Sequence, residues 1–229
     1  MSLPNRLVLA AALALAAATA SASEEGFVPI FNGKDLAGWQ GLGGDTGSYC
    51  AEDGQLICKE TGKVHIFTER QFTNFVLRLE IKMDPGGNNG VGIRTLVSKQ
   101  PHLEGCEIQV LDDPYYERGI PREGKDPKEW VPLKDYQHHG SIYGVVPAKP
   151  GHLRPAGEWN QQEISCVGRR VKVTLNGAVI VDADLDQVKP IDGHDHPGLA
   201  YAAGHVGLHA HGNYGAKVYF RNLRVRELP

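Results

Sequence analysis

Glu107, Gln109 and Asp112 stand close together in the run Cys106-Glu107-Ile108-Gln109-Val110-Leu111-Asp112. In an extended chain Glu107 and Gln109 project from the same face, because alternate side chains point the same way. Asp112 joins them only if a bulge or the strand end turns it inward. A carboxylate beside a carboxamide can move a proton and hold a hydroxyl. His209 and His211 also share a face, about 7 Å apart at the rise of a strand. Such a pair can ligate a metal, act as acid or base, or bond sugar hydroxyls. Gly90, Gly92 and Arg94 alternate along a third run. Two glycines beside an arginine let a ligand approach the backbone, with the guanidinium on a hydroxyl or a developing oxyanion. A bulge plus a structural ion pair is the other reading of those three. Trp159 suits either the core or a stacking platform for a pyranose ring. His138 and His139 could close over a site, whereas His194 and His196, around Asp195, read as a solvated loop.

These groups need a scaffold, and the pattern supplies strands. Phe75, Leu77, Leu79, Ile81 and Met83 alternate with Val76, Arg78, Glu80 and Lys82, which predicts a half-buried strand over 72–83. Asp84-Pro85-Gly86-Gly87-Asn88 ends it. Further strands are predicted at 90–96, 106–111, 206–210 and 217–227, and a hairpin at 171–175 and 178–182 around Asn176-Gly177. Residues 112–140 are polar and carry four prolines. They read as one long excursion over a sheet face, and loops of that length tend to be functional. No segment has a long helical period. The expected fold is all-β, a two-sheet antiparallel β-sandwich of jelly-roll type.

The chain has 229 residues, a length that suits one all-β domain. Its 24 Lys and Arg against 27 Asp and Glu give a formal net charge of −3. That balance excludes a general nucleic-acid binder, which needs a basic stripe, and gives no support for docking on anionic membranes. Arg6, the apolar run from Leu7 to Ala18 and the small residues Ala20-Ser21-Ala22 predict a secretory signal peptide over 1–22. The run is about 12 residues, where a membrane span needs about 20. The expectation is a mature domain over 23–229, periplasmic or secreted, without membrane insertion. The compartment permits disulfides among Cys50, Cys58, Cys106 and Cys166. A two-residue turn at Asp53-Gly54, however, pairs Tyr49 with Cys58 and Cys50 with Ile57, which sends the first two sulfurs to opposite faces. Cys106 and Cys166 read as buried thiols.

Several short runs together resemble the 3-keto-disaccharide hydrolase domain family. They begin with Phe31-Asn32-Gly33-Lys34-Asp35-Leu36 and Gly38-Trp39, and continue through Asp53-Gly54, Asn74-Phe75 to Glu80, and Asn88-Asn89-Gly90 with Arg94. Gly105, Glu107, Gln109, Leu111 and Asp112 follow, then Gly140 with Ile142-Tyr143, Gly157 with Trp159-Asn160, and Asn176-Gly177. The end matches in Gly207-Leu208, His211-Gly212 and Phe220-Arg221-Asn222. Two positions depart from the family pattern: His209 stands where Gln is usual, and Cys106 where an aromatic is usual. The resemblance implies a concanavalin-like jelly roll acting on oxidised sugars. The spacing Glu-x-Gln-x-x-Asp is also similar to the acid motif of laminarinase-type β-glucanases, but its middle residue here cannot ionise.

A ketone at C3 of a glucoside acidifies the C2 proton, so a base can remove it and the C1 aglycone can leave through an enolate. Water then adds to the 1,2-ene, for a net hydrolysis. This needs one base, one enolate stabiliser and one acid. The candidate catalytic residues are Glu107 and His211, as base or acid, and Arg94 on the oxyanion. Gln109, Asp112, Tyr143, His209, Asn89, Trp159 and His139 are candidate substrate contacts. The implied partner is an oligosaccharide or glycoside substrate. The residues point to no definite cofactor, and a divalent metal is compatible with the histidines. An ordinary two-carboxylate glycoside hydrolase using Glu107 and Asp112, and a non-catalytic sugar-binding module, remain open, because fold does not fix function.

Overall fold

A computed structural model describes residues 26–120, 126–212 and 216–229. The expected leader, 1–22, lies outside the described residues. The first strands are β1 (Val28–Pro29), β2 (Trp39–Gly41), β3 (Tyr49–Glu52), β4 (Gln55–Cys58), β5 (Ile66–Phe72) and β6 (Phe75–Met83). Then come β7 (Asn88–Thr95), β8 (Cys106–Leu111), β9 (Asn160–Val167), β10 (Arg170–Leu175), β11 (Ala178–Asp184), β12 (Gly204–Ala210) and β13 (Val218–Glu227). All pairings between these strands are antiparallel.

The strands form two sheets. The larger has the order β11-β10-β9-β6-β13-β4-β3, with β1 added on β13, and the smaller has the order β2-β5-β12-β7-β8. Their inner faces pack Leu77, Leu79, Ile81, Ile164, Val173 and Phe220 of one against Val91, Ile93, Ile108, Val206 and Leu208 of the other. Alternating burial along β6 follows from its period of two. The protein is thus an all-β, two-sheet jelly roll, as its alternation predicts.

Local details agree or differ for identifiable reasons. The expected strand over 72–83 is two strands: β5 ends at Phe72, and Thr73-Asn74 turns the chain into β6. Asn176, at φ 49°, and Gly177, at φ 88°, make the predicted turn between β10 and β11. Asp53-Gly54 pairs Tyr49 with Cys58 and Cys50 with Ile57, and all four cysteines are free thiols. The segment after β8 crosses the outer face of the smaller sheet through a short helix α1 (Asp113–Tyr116) and a 3-10 turn at Asp135–Gln137.

Candidate active site

The outer face of the smaller sheet can be read row by row from its registers. One row runs Phe67, Gly207, Gly92, Glu107; the next runs His209, Gly90, Gln109. Extending the β5–β12 register by one residue puts His65 beside His209. Glu107 on β8 and His209 on β12 are two strand spacings apart, roughly 9–10 Å. Glycines occupy the positions between them, so both side chains lie flat over the middle strand and meet there. A Cβ at Gly90 would overlap the Glu107 carboxyl, and one at Gly92 would overlap Nε2 of His209. The glycines therefore admit protein side chains to the backbone, not a ligand.

The carboxylate is buried and doubly bonded. Nδ1 of His209 donates to Oε2 at 2.9 Å, and Nε2 of His211 donates to Oε1 at 2.8 Å. Glu107 is 1 % exposed. Such burial opposes its charge, but the two imidazoles outweigh it and hold the carboxyl well below the usual carboxylate range. His211 keeps 29 % of its side chain exposed. Desolvation lowers its pKa, yet the Glu107 carboxylate more than offsets this and raises it above 6.5. Nδ1 of His211 has no partner among the described residues. His65 packs edge to face on His209 with ring centroids 5.4 Å apart, and burial pushes it down to about 4.

Beside this cluster opens a cleft of about 290 Å³. Glu107, Gln109 and Asn88 contribute from the sheet, His211 from the residue after β12, and His102, Gln137 and Tyr143 from the covering loops. Nε2 of Gln109 donates to Oδ1 of Asn88 at 3.2 Å. The backbone N–H of Tyr143 donates to the carbonyl of Glu107 at 2.9 Å, which fixes that ring beside the carboxylate. Nε2 of Gln137 donates to the Tyr143 hydroxyl at 3.4 Å. The hydroxyl proton is left for a ligand, and burial keeps the phenol neutral by raising its pKa. Apolar walls come from Leu111, Ile120 and Leu133.

The structure thus brings Glu107, His211, His209, Gln109 and Tyr143 together and places five other candidates elsewhere. Arg94 sits in a bulge, where His205 faces Thr95 but Gly207 faces Gly92, and its φ is 51°. The bulge sends its side chain between the sheets, where it donates to the carbonyls of Thr73 and Gly168. Asn89 falls on the inner face and bonds the Tyr49 hydroxyl, so its neighbour Asn88 lines the cleft instead. Asp112 is at the strand end but accepts from the N–H of Gly86, away from the cleft. His139 is buried against Gln162 and the N–H of Leu111. Trp159 lies on the far face of the larger sheet, flanked by Lys82 and Arg221. His196 is not solvated: it is buried on Asp192 at 2.9 Å.

Sequence reasoning passed over His65, His102, Asn88 and Gln137. None carried a sequence signal: His65, for one, is placed by the pairing of β5 with β12, which the sequence does not show. Among the described residues no three His, Cys, Asp or Glu side chains are grouped to hold a metal ion; His209 and His211 each give a ring nitrogen to Glu107.

The fold is a two-sheet jelly roll with a cleft, lined by Glu107, Gln109, Tyr143 and His211, on the outer face of its smaller sheet. The chain belongs to the 3-keto-alpha-glucoside-1,2-lyase-like domain family, which it matches over residues 26–226. It is 26% identical to a 3-keto-disaccharide hydrolase of Bacteroides thetaiotaomicron, over 89% of this chain and 79% of that one. It is similar to a crystal structure of a candidate glycosyl hydrolase from Parabacteroides distasonis, with a TM-score of 0.74 and 25% identity over 89% of this chain and 95% of the other. A carbohydrate-binding module of Bacillus subtilis shares the fold, with a TM-score of 0.54 and 13% identity over 84% and 97% of the chains. Membership of this family supports a carbohydrate hydrolase.

Proposed function

We propose that the protein cleaves the glycosidic bond of 3-keto-glycosides by elimination followed by hydration. The observation that carries this reading is the cleft's single carboxylate. Among the described residues that line it, Glu107 is the one acid, and histidines occupy both its oxygens. A retaining glycosidase needs two carboxyl groups about 5 Å apart, and an inverting one needs two about 6.5–9.5 Å apart. Asp112 is bound to the Gly86 N–H and cannot serve as the second.

Elimination asks for different groups. The ionised Glu107 favours the protonated form of His211, from which a proton can pass to the departing oxygen. With Arg94 held on the carbonyls of Thr73 and Gly168, the Tyr143 hydroxyl is the neutral donor suited to the C3 oxygen as negative charge grows there. Gln109 and Asn88 orient sugar hydroxyls. We further propose that the leader pattern of residues 1–22 directs export, periplasmic or secreted, with a mature chain starting at Ser23; intact mass of exported protein checks it, and a retained leader refutes it.

The main test compares a 3-keto-glucoside with its parent glucoside in deuterium oxide, with and without a chelator. Cleavage of the keto sugar alone, with deuterium at C2 of the product, is expected. Equal cleavage of the parent, or a retained C2 hydrogen, overturns the proposal; binding without turnover would mark a sugar-binding module.

A further inference from the structure

A second imidazole, His102, lines the same cleft as His211. His102 lies between β7 and β8, in a segment pinned from several sides. Oγ1 of Thr95 is 3.0 Å from the Pro101 carbonyl oxygen and 3.1 Å from that of Glu104. The N–H of Leu96 donates to Glu104 at 2.8 Å, and the N–H of Gly198 donates to Leu103 at 2.9 Å. The His102 ring meets Tyr143 edge to face, with centroids 6.2 Å apart and an interplanar angle of 88°. Tyr143 is itself bonded to the carbonyl of Glu107. His102 is therefore fixed relative to Glu107 through one aromatic contact and one hydrogen bond. Neither of its ring nitrogens has a partner among the described residues.

We propose that His102 is the base that takes the C2 proton of the 3-keto sugar, with His211 as its acid partner; this rests on the elimination reading above. Burial favours the neutral form of His102. Glu107 opposes that effect, while His211, His209 and His196 reinforce it, and the net pKa lies below 6.5. His211 is displaced in the other direction. Two like groups pushed apart by their surroundings divide into base and acid. The Tyr143 phenol, kept neutral by burial, meets the His102 ring edge to face.

The steps balance. The C2–H bond breaks, its proton goes to His102, and its electrons form the C2–C3 double bond of an enolate, with the charge on the C3 oxygen. The enolate collapses to the ketone, C1–C2 becomes the double bond, and the C1–O bond breaks as the aglycone oxygen takes a proton from His211. Water then adds its oxygen to C1 and gives a proton to His211, while C2 recovers one from His102 after that imidazolium has exchanged its proton with solvent. Both histidines return to their starting forms, and no oxidant or reductant is needed.

The test uses the full protein with His102→Gln and His102→Phe, the latter keeping a ring against Tyr143. Thermal melts confirm that each is folded. Removing a general base costs roughly 10²- to 10⁴-fold in rate, so kcat should fall by that much while KM changes by no more than a few-fold. The acid limb of the wild-type pH profile should vanish, and added imidazole should restore part of the turnover and of the C2 exchange in His102→Gln. Near-wild-type turnover of either folded variant overturns the assignment. So does a slow variant that keeps its acid limb and does not respond to imidazole. Wild-type protein that cleaves without C2 exchange defeats the elimination reading itself, whereas exchange that persists in both variants defeats only His102.

Discussion

The carboxyl group of Glu107 lies over Gly90, in the space a side chain at that position would fill. Through this contact a residue of β8 reaches His209 on β12, across an intervening strand. Gly90 has no positive φ, so alanine is acceptable to its backbone. Gly90→Ala should nevertheless push Glu107 off both histidines. Overpacking of this kind typically costs about 1–3 kcal/mol, and turnover of a 3-keto-glucoside should drop far more steeply than the melting temperature. Wild-type turnover in Gly90→Ala would show that the flat placement of Glu107 is not needed.

Arg94 ties the β5–β6 and β9–β10 turns together through Thr73 and Gly168. It is 3 % exposed. Arg94→Ala would take the charged donor from both turn carbonyls, at about 1.5–3 kcal/mol for each hydrogen bond to a charged group. Denaturant unfolding should show that loss, while the folded fraction should keep its KM for substrate. An intact stability with a lost rate would return Arg94 to the cleft.

The strands and their order of burial were legible because a period of two leaves a direct trace in the residues, as in Phe75 to Met83. Glu107, Gln109, His209 and His211 were legible for the same reason: alternation alone puts each pair on one face. Arg94 was misplaced because one bulge residue reverses every later side chain in its strand, and although Gly90 and Gly92 admit a bulge, they do not fix whether or where it falls. Asn88 and Asn89 were confused because parity along β7 depends on where the strand starts. His102 and Gln137 sit on loops whose paths are set by tertiary bonds such as Gly198 to Leu103, which leave no local pattern.

His139 should weaken the fold in acid. Burial lowers its pKa from 6.5 to about 4, with Gln162 and the Leu111 N–H only partly opposing. The unfolded chain takes a proton near 6.5 while the folded one resists, so stability is present above that pH and is lost as pH falls toward 4. The gap corresponds to roughly 3 kcal/mol. Unfolding free energies measured from pH 7 to pH 4 should decline less in His139→Gln than in the wild type. Parallel curves would mean that His139 is already protonated in the fold.

His211 tests the electrostatics of the cleft from the opposite direction. Desolvation alone would lower its pKa, and it stands above 6.5 because the Glu107 carboxylate, bonded at 2.8 Å, more than compensates. Glu107→Gln removes the charge but leaves the burial, so the pKa should fall below 6.5. The imidazole resonances of His211, assigned by their absence in His211→Gln, report the midpoint by NMR. If His211 must carry the proton it gives to the leaving oxygen, the alkaline limb of the residual activity should move to lower pH in the same variant. A midpoint that does not move on loss of Glu107 would show that the carboxylate does not hold the proton on His211, and would remove His211 as the acid.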